Sequence, residues 1–265
     1  MDQIESNLRI HVEAGLNEVP AVWSVVLYTL FGAVLGFQCY NQALNYVPAP
    51  EKYSGGNRFK WRNVMASFLH AFLTGTGSAY CLYTSPFILD DLIHNFTPFS
   101  EILVSLSTGY FVYDFLDMLA YKKISSSWPL LLHHIVIFTC FGVSLNYKHY
   151  IGYAVVALMA EVNSIFLHLR QLLLMSSYPK SSTAFKVNSV VNVTTYIVFR
   201  FGVLTWMGWW LSQHTHELPI TMSLLAGVGL TVMLSVNFVL FLRLLSSDFL
   251  SRRNCKESKD DVMDN

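Results

Sequence analysis

The chain has 265 residues, of which 53% are hydrophobic and only 13% are charged. Soluble domains carry about 25% charged residues, so this composition favours an integral membrane protein. Lysine plus arginine and aspartate plus glutamate each number 17, and this balance argues against a nucleic-acid partner. The four cysteines are scattered and form no Cys-x-x-Cys pair, so we predict neither a disulfide framework nor a metal site.

Residues 1–21 mix polar and apolar types, and no short basic segment precedes a short apolar core there. A cleaved signal peptide would show both features, so this segment is predicted to be a retained extracellular N-terminus. At the other end, residues 246–265 are polar with mixed charge. That composition predicts a disordered cytoplasmic tail.

Seven apolar stretches approach or reach the length of about 20 residues that a helix needs to cross a bilayer. In chain order they are residues 22–46, 61–84, 100–121, 130–147, 150–175, 187–211 and 220–245. The eight prolines fall outside or at the edges of these stretches, as helix boundaries require. The predicted fold class is all-α, a multi-pass transmembrane helical bundle of about seven spans. A six-span bundle is the alternative, because the third stretch contains two aspartates and the fourth is short.

The charges of the connecting segments predict an orientation for this bundle. One alternate set of connections and the tail carry 14 lysines and arginines, whereas the other set carries only Arg9 and Lys148. Because cytoplasmic loops are enriched in lysine and arginine, we expect the N-terminus outside and the C-terminus in the cytoplasm. Asn95 begins an Asn-x-Thr sequon that this orientation places outside, so Asn95 is a predicted glycosylation site, although Pro98 follows the sequon directly.

Ionisable and amide side chains lie inside the apolar stretches. Such groups are costly in hydrocarbon and normally face a bundle interior, a cavity or each other. In the seven-span orientation they gather toward the cytoplasmic half, which predicts one inward-facing polar cavity. The candidate catalytic residues are His133, His134, Asp114, Asp117 and Glu161. The candidate substrate-binding residues of the cavity are His70, Asn163, His168, Asn192 and Arg200.

Helical spacing supports this grouping. Asp114 and Asp117 are three residues apart and share a helix face. A polar stripe with four-residue spacing consists of Asn188, Asn192, Tyr196 and Arg200. A histidine pair beside carboxylates is suited to general acid–base chemistry. The structural alternative is that Arg200 forms a buried ion pair with Glu161 or an aspartate, and that the histidines join helices by hydrogen bonds.

Four motifs taken in order resemble the TLC-domain membrane proteins, a family that includes the ceramide synthases. The motifs are residues 61–70 with Trp61-Arg62-Asn63, residues 109–117 (GYFVYDFLD), Trp128 with His133-His134, and residues 161–167 (EVNSIFL). The resemblance covers residues 58–250 and is most detailed toward a small plasma-membrane branch. It implies a regulator of phospholipid acyl-chain composition and membrane fluidity that limits incorporation of long polyunsaturated chains. The implied partners are membrane lipids and fatty acyl chains, in a homo- or hetero-oligomer.

An acyl-CoA-dependent acyltransferase is the first alternative function. For the location, the plasma membrane is predicted and the endoplasmic reticulum is the alternative. Ceramide synthases carry their proposed catalytic residues on a His-His pair followed by a span with two acidic residues three apart. His133 and His134 match the pair and Glu161 matches the first acidic position, but Ser164 stands at the second. Acyl-CoA would be a co-substrate, and no cofactor is expected. A transporter or channel is the second alternative, disfavoured because no inverted repeat is detectable.

Overall fold

The computed structural model describes residues 25–53, 57–120 and 128–247. Within these ranges the chain is helical and contains no strand. The predicted extracellular segment 1–21 lies outside the described residues. So does the predicted tail, apart from residues 246 and 247, which continue the last helix.

The described residues form seven helical stretches. The first four are α1 (residues 25–43), α2 (Arg58–Thr84), α3 (Pro98–Ala120) and α4 (Trp128–Tyr147). The fifth stretch is divided into α5 (Ile151–Leu158) and α6 (Glu161–Met175). The sixth comprises α7 (Thr183–Thr195), a π-helix (Tyr196–Gly202) and α8 (Val203–His214). The last is α9 (Ile220–Leu245), and short 3₁₀ turns occur at Glu51–Tyr53 and Pro86–Leu89.

Each predicted span coincides with one helical stretch, so the chain is a multi-pass helical bundle. Four stretches are long and apolar enough to cross a membrane, namely Pro98–Ala120, Ile151–Met175, Thr183–His214 and Ile220–Leu245. The apolar part of the fourth stretch, Leu131–Tyr147, is shorter, as its sequence predicts. The third stretch, α3, contains the two aspartates that motivated the six-span alternative, yet it is one of these four. Of its apolar window 67% is buried, so protein rather than lipid surrounds its polar residues.

A close contact between α2 and α6 positions the fifth stretch. A Cβ atom on Gly75 would lie 2.8 Å from the backbone nitrogen of Val162 and 2.9 Å from the carbonyl carbon of Glu161. Only glycine lets the two backbones approach so closely, as small residues do in membrane helix packing. This contact fixes the start of α6, where Glu161 follows the turn that separates α5 from α6.

Arg58 ties the end of α1 to the start of α2. Its guanidinium donates hydrogen bonds to the carbonyls of Leu44 and Asn45, at 2.9 and 2.8 Å, and also to the carbonyl of Val47. These three carbonyls follow the last residue of α1, and an arginine of the next helix donates hydrogen bonds to them. The contact holds α1 against the rest of the bundle at this end.

The short connection between α4 and α5 is anchored by an ion pair. Lys148 pairs with Glu101 near the start of α3, and both side chains are mostly withdrawn from solvent. Burial lowers the pKa of the Lys148 ammonium. The backbone N–H of Tyr150 also donates to the carbonyl of Ile93 at 2.7 Å, which joins this connection to the loop between α2 and α3.

The predicted glycosylation site lies in that same loop. The side-chain amide of Asn95 donates a hydrogen bond to the carbonyl of Phe87 at 2.8 Å. Glycosylation of Asn95 stays a prediction, and the glycosylated amide would keep one N–H that can donate this hydrogen bond.

Candidate functional site

Two cavities meet in the interior of the bundle. The polar cavity, of about 400 Å³, is lined among others by Asn63, His70, Asp114, His134, His168 and Arg243. The apolar chamber, of about 130 Å³, is lined among others by Cys140, Tyr153, Ala157, Trp210, Gly229 and Met233. Both are lined by Phe111, His133, Glu161, Arg200 and Asn237. The polar cavity and the apolar chamber therefore adjoin at these five residues.

A hydrogen-bonded row of three side chains forms one wall of the polar cavity. Nε2 of His134 lies 3.0 Å from Oδ2 of Asp114, and the His134 side chain is only 1% exposed. Asn63 donates from Nδ2 to Oδ1 of the same carboxylate at 2.6 Å. Both carboxylate oxygens of Asp114 are thus engaged, and the imidazole of His134 is held in a fixed orientation. A carboxylate that orients an imidazole is a recurrent arrangement in general acid–base sites.

His133 occupies a different position from its neighbour. Its ring lies 5.8 Å from the ring of His134 and 5.7 Å from the ring of Phe111, measured between centroids. Adjacent helical residues point about 100° apart, so the two histidines face different surroundings. His133 lines both the polar cavity and the apolar chamber, whereas His134 lines only the polar cavity.

The two predicted catalytic aspartates are separated by the structure. Asp114 lines the polar cavity, but Asp117 is not among the lining residues. Asp117 instead accepts a hydrogen bond from Asn41 of α1 at 3.3 Å and is 9% exposed. It thus connects α1 to α3, and a role for Asp117 in chemistry inside the cavity is not supported by its position.

Arg200 lies on the π-helix, at the junction of the two cavities. Its guanidinium donates to Oδ1 of Asn237 at 2.6 Å and to Oγ of Ser164 at 2.9 Å. In the described part of the chain it forms no direct ion pair with Glu161, so the ion pair that the structural alternative predicted for these two residues is absent there. Ser164, the residue that replaces an acidic one in the ceramide-synthase pattern, is therefore a neutral partner of this arginine. π-Helical turns are frequent at functional sites.

Asn163 and Asn192 do not line either cavity, contrary to the expectation for substrate-binding residues. Both are fully buried, and Nδ2 of Asn163 lies 2.9 Å from both the backbone and the side-chain oxygen of Asn192. The same amide donates to the hydroxyl of Thr195 at 3.0 Å. These bonds join α6 to α7. Hydrogen bonds between side chains on facing helices are a recurrent contact in membrane bundles.

The other two predicted binding residues, His70 and His168, both line the polar cavity. Nε2 of His70 lies 3.0 Å from the hydroxyl of Ser107, and its ring stacks on Tyr110 with centroids 3.9 Å apart. Tyr110 in turn donates to the hydroxyl of Ser67 at 2.9 Å. The sequence argument missed Ser67 and Tyr110, because neither residue type is unusual within a membrane span.

Among the residues that the structure describes, no group of three or more His, Cys, Asp or Glu side chains is arranged to hold a metal ion. Imidazole, carboxylate, amide and guanidinium groups supply the polar functions of the cavity. They can bind a polar head group and move a proton.

The comparison with known proteins agrees with the motifs. The TLC domain matches residues 60–246. TLC domain-containing protein 2 of Danio rerio is 46% identical over 235 residues, which cover 88% of this chain and 94% of the relative. Its human namesake is 35% identical over 83% of this chain and 82% of the relative, and mouse TLC domain-containing protein 1 is 28% identical over 88% and 94%. The chain therefore belongs to the TLC-domain family.

Proposed function

We propose that this protein regulates the acyl-chain composition of plasma-membrane phospholipids, and with it membrane fluidity, by limiting the incorporation of long polyunsaturated chains. The position of the polar cavity directly beside the apolar chamber carries this proposal. An amphipathic lipid needs such a space, because its head group must be hydrogen-bonded while its chain must be kept from water. Membership of the TLC-domain family supports a role in membrane lipids.

The polar cavity contains an arginine side chain of its own. Arg243 near the end of α9 lines the polar cavity, and Arg200 lies at its junction with the apolar chamber. In the orientation predicted from the loop charges, Arg243 lies on the cytoplasmic side. A lipid would therefore place its head group toward the cytoplasm and its chain toward the outer half of the bundle.

Filling the apolar chamber tests the proposal. In cells that lack the protein, re-expression of the wild type is expected to lower the share of long polyunsaturated chains in membrane phospholipids. The Ala157→Phe variant is expected to lose this effect, because its added ring occupies much of the chamber that Ala157 lines. Lipid mass spectrometry measures the chain distribution, and a fluorescent order probe measures fluidity.

The matched control is Leu224→Phe on α9, since Leu224 is 61% exposed and does not line the chamber. It adds an aromatic ring without filling the cavity and should behave as the wild type does. Unchanged phospholipid chains on loss and re-expression of the wild type would contradict the proposed function. Equal activity of Ala157→Phe and the wild type would contradict the role of the chamber.

A second candidate function, acyl transfer from acyl-CoA, is favoured by the histidine pair. His134 is oriented by Asp114, and His133 faces the junction where an acyl carbonyl would lie. In this reaction the imidazole takes the proton of an acceptor hydroxyl or amine. The acceptor oxygen or nitrogen then bonds to the thioester carbonyl carbon, and the carbon–sulfur bond breaks to release the CoA thiolate, which is protonated.

This second candidate makes a separate prediction about the two histidines. If the purified protein transfers labelled acyl groups, replacement of the histidine that acts as base should slow transfer by about 10²–10⁴-fold. His133→Ala and His134→Ala are compared under identical conditions, with Asp117→Asn as a control outside the cavity. Absence of transfer to a broad panel of lysophospholipid and amine acceptors would contradict this candidate and leave the regulatory proposal standing.

A further inference from the structure

The two halves of the last helix, α9, contact the rest of the bundle in different ways. Only 11% of its apolar window is buried, against 67% for α3. Its polar anchor lies in its C-terminal half, where Asn237 accepts from Arg200 at 2.6 Å and its backbone carbonyl accepts from the hydroxyl of Tyr196 at 2.9 Å. Among the described residues, no side chain in the N-terminal half of α9, residues 220–234, makes a hydrogen bond to another helix. That half contacts its neighbours through apolar groups.

The contact between α4 and α9 is narrow where it covers the apolar chamber. We call this contact the α4–α9 seam and define it by Val136, Cys140 and Gly229. A Cβ atom on Gly229 would lie 3.3 Å from Val136 and 3.6 Å from the sulfur of Cys140. All three residues line the chamber, whereas the nearby Ile135 and Val228 are 53% and 62% exposed on the outer surface. One layer of side chains thus separates the chamber from the bilayer.

In a membrane, apolar helix contacts have no hydrophobic driving force, because lipid chains are as apolar as the residues they replace. The seam can therefore open at little cost, whereas breaking the contacts of Asn237 would leave polar groups unsatisfied in hydrocarbon. Motion of α9 should thus pivot near Asn237 and be largest in residues 220–234.

We propose that the α4–α9 seam is a lateral gate through which the acyl chain of a bilayer lipid enters the apolar chamber. The proposal rests on the proposed function, in which the chamber holds an acyl chain, and adds the source of that chain. The substrate is then a lipid resident in the membrane, and it enters sideways without crossing the polar cavity.

A disulfide across the seam tests the gate. The Gly229→Cys variant places a second thiol beside the native Cys140, at a spacing that a disulfide can bridge with small side-chain shifts. Cys39 and Cys255 are replaced by serine to prevent other pairings. The matched control is Thr97→Cys in the same background. It places a second thiol near Cys81 of α2, whose thiol neighbours the Thr97 side chain.

The purified protein in phosphatidylcholine nanodiscs is mixed with phosphatidylcholine vesicles whose lipids carry a photoreactive diazirine in the acyl chain. Mass spectrometry follows labelling of chamber residues such as Tyr153 and Met233 over time. Oxidation of the Gly229→Cys variant is expected to slow labelling at least tenfold, and reduction should restore the rate. Oxidation of the Thr97→Cys control should leave the rate unchanged.

Two outcomes overturn the gate in different ways. Equal labelling rates before and after complete cross-linking of the seam would show that chains enter elsewhere, while the chamber would still be an acyl site. Absence of chamber labelling in the reduced protein would overturn the proposed occupancy of the chamber together with the gate. Failure of the seam cysteines to form a disulfide would contradict the contact on which the gate depends.

Discussion

The Asp114→Ala variant is expected to unfold at a markedly lower temperature than the wild type and to lose the protein's effect on membrane phospholipids. The substitution leaves His134 without its carboxylate partner and Asn63 without its 2.6 Å acceptor. His134 is 1% exposed, so its imidazole loses a buried hydrogen bond. Removal of one member of a buried polar pair typically costs about 3 kcal/mol. Thermal unfolding in nanodiscs measures this loss.

Asp114→Asn separates stability from chemistry. Its side chain keeps the size of the aspartate and retains one oxygen that can accept from Asn63. The amide cannot carry the negative charge that orients and stabilises a protonated imidazole. We therefore expect most of the stability to return but not the lipid effect. Full lipid activity of Asp114→Asn would contradict a proton-transfer role for His134 and would favour a purely structural role for the pair.

Gly75→Val is expected to give a large packing defect between α2 and α6. The new Cβ would lie 2.8 Å from the backbone nitrogen of Val162, and that backbone is fixed within the packed helices. α2 and α6 must then move apart, which displaces Glu161 at the junction of the two cavities. Overpacking of this kind costs about 3 kcal/mol. Thermal unfolding and the yield of monodisperse protein in size-exclusion chromatography measure the effect.

Gly142→Ala on α4 is the matched control, because no atom lies within 4 Å of a Cβ added there. Alanine favours a helix over glycine by about 1 kcal/mol, so this variant should be as stable as the wild type or more stable. The two glycine substitutions are thus expected to act in opposite directions. Similar losses in both variants would contradict the close approach of α2 and α6 as the cause.

The helices could be predicted from the sequence, because their formation depends on local composition. Each apolar stretch of about 20 residues must satisfy its backbone internally in hydrocarbon, so a helix follows whatever its neighbours are. The motifs likewise predicted the TLC-domain family, since they consist of residue types in order. The interruptions at Met159-Ala160 and at the π-helix Tyr196–Gly202 were not predicted, because neither contains a proline.

The roles of individual polar residues depend on which helix lies opposite, and only the tertiary structure decided them. Asp114 and Asp117 share a spacing that predicts one face, yet one contacts His134 and the other contacts Asn41 of α1. Asn163 belongs to the predicted polar group, but its side chain donates a hydrogen bond to Asn192 on α7 instead of lining the cavity.

The sequence by itself therefore determined that this protein is a helical membrane bundle with ionisable groups inside it. Hydrophobicity and backbone satisfaction are local properties, so they can be read along one chain. The tertiary structure decided that His133, Glu161 and Arg200 meet at the junction of a polar cavity and an apolar chamber. That arrangement depends on helix rotation and on close contacts such as the one at Gly75, which hydropathy does not encode.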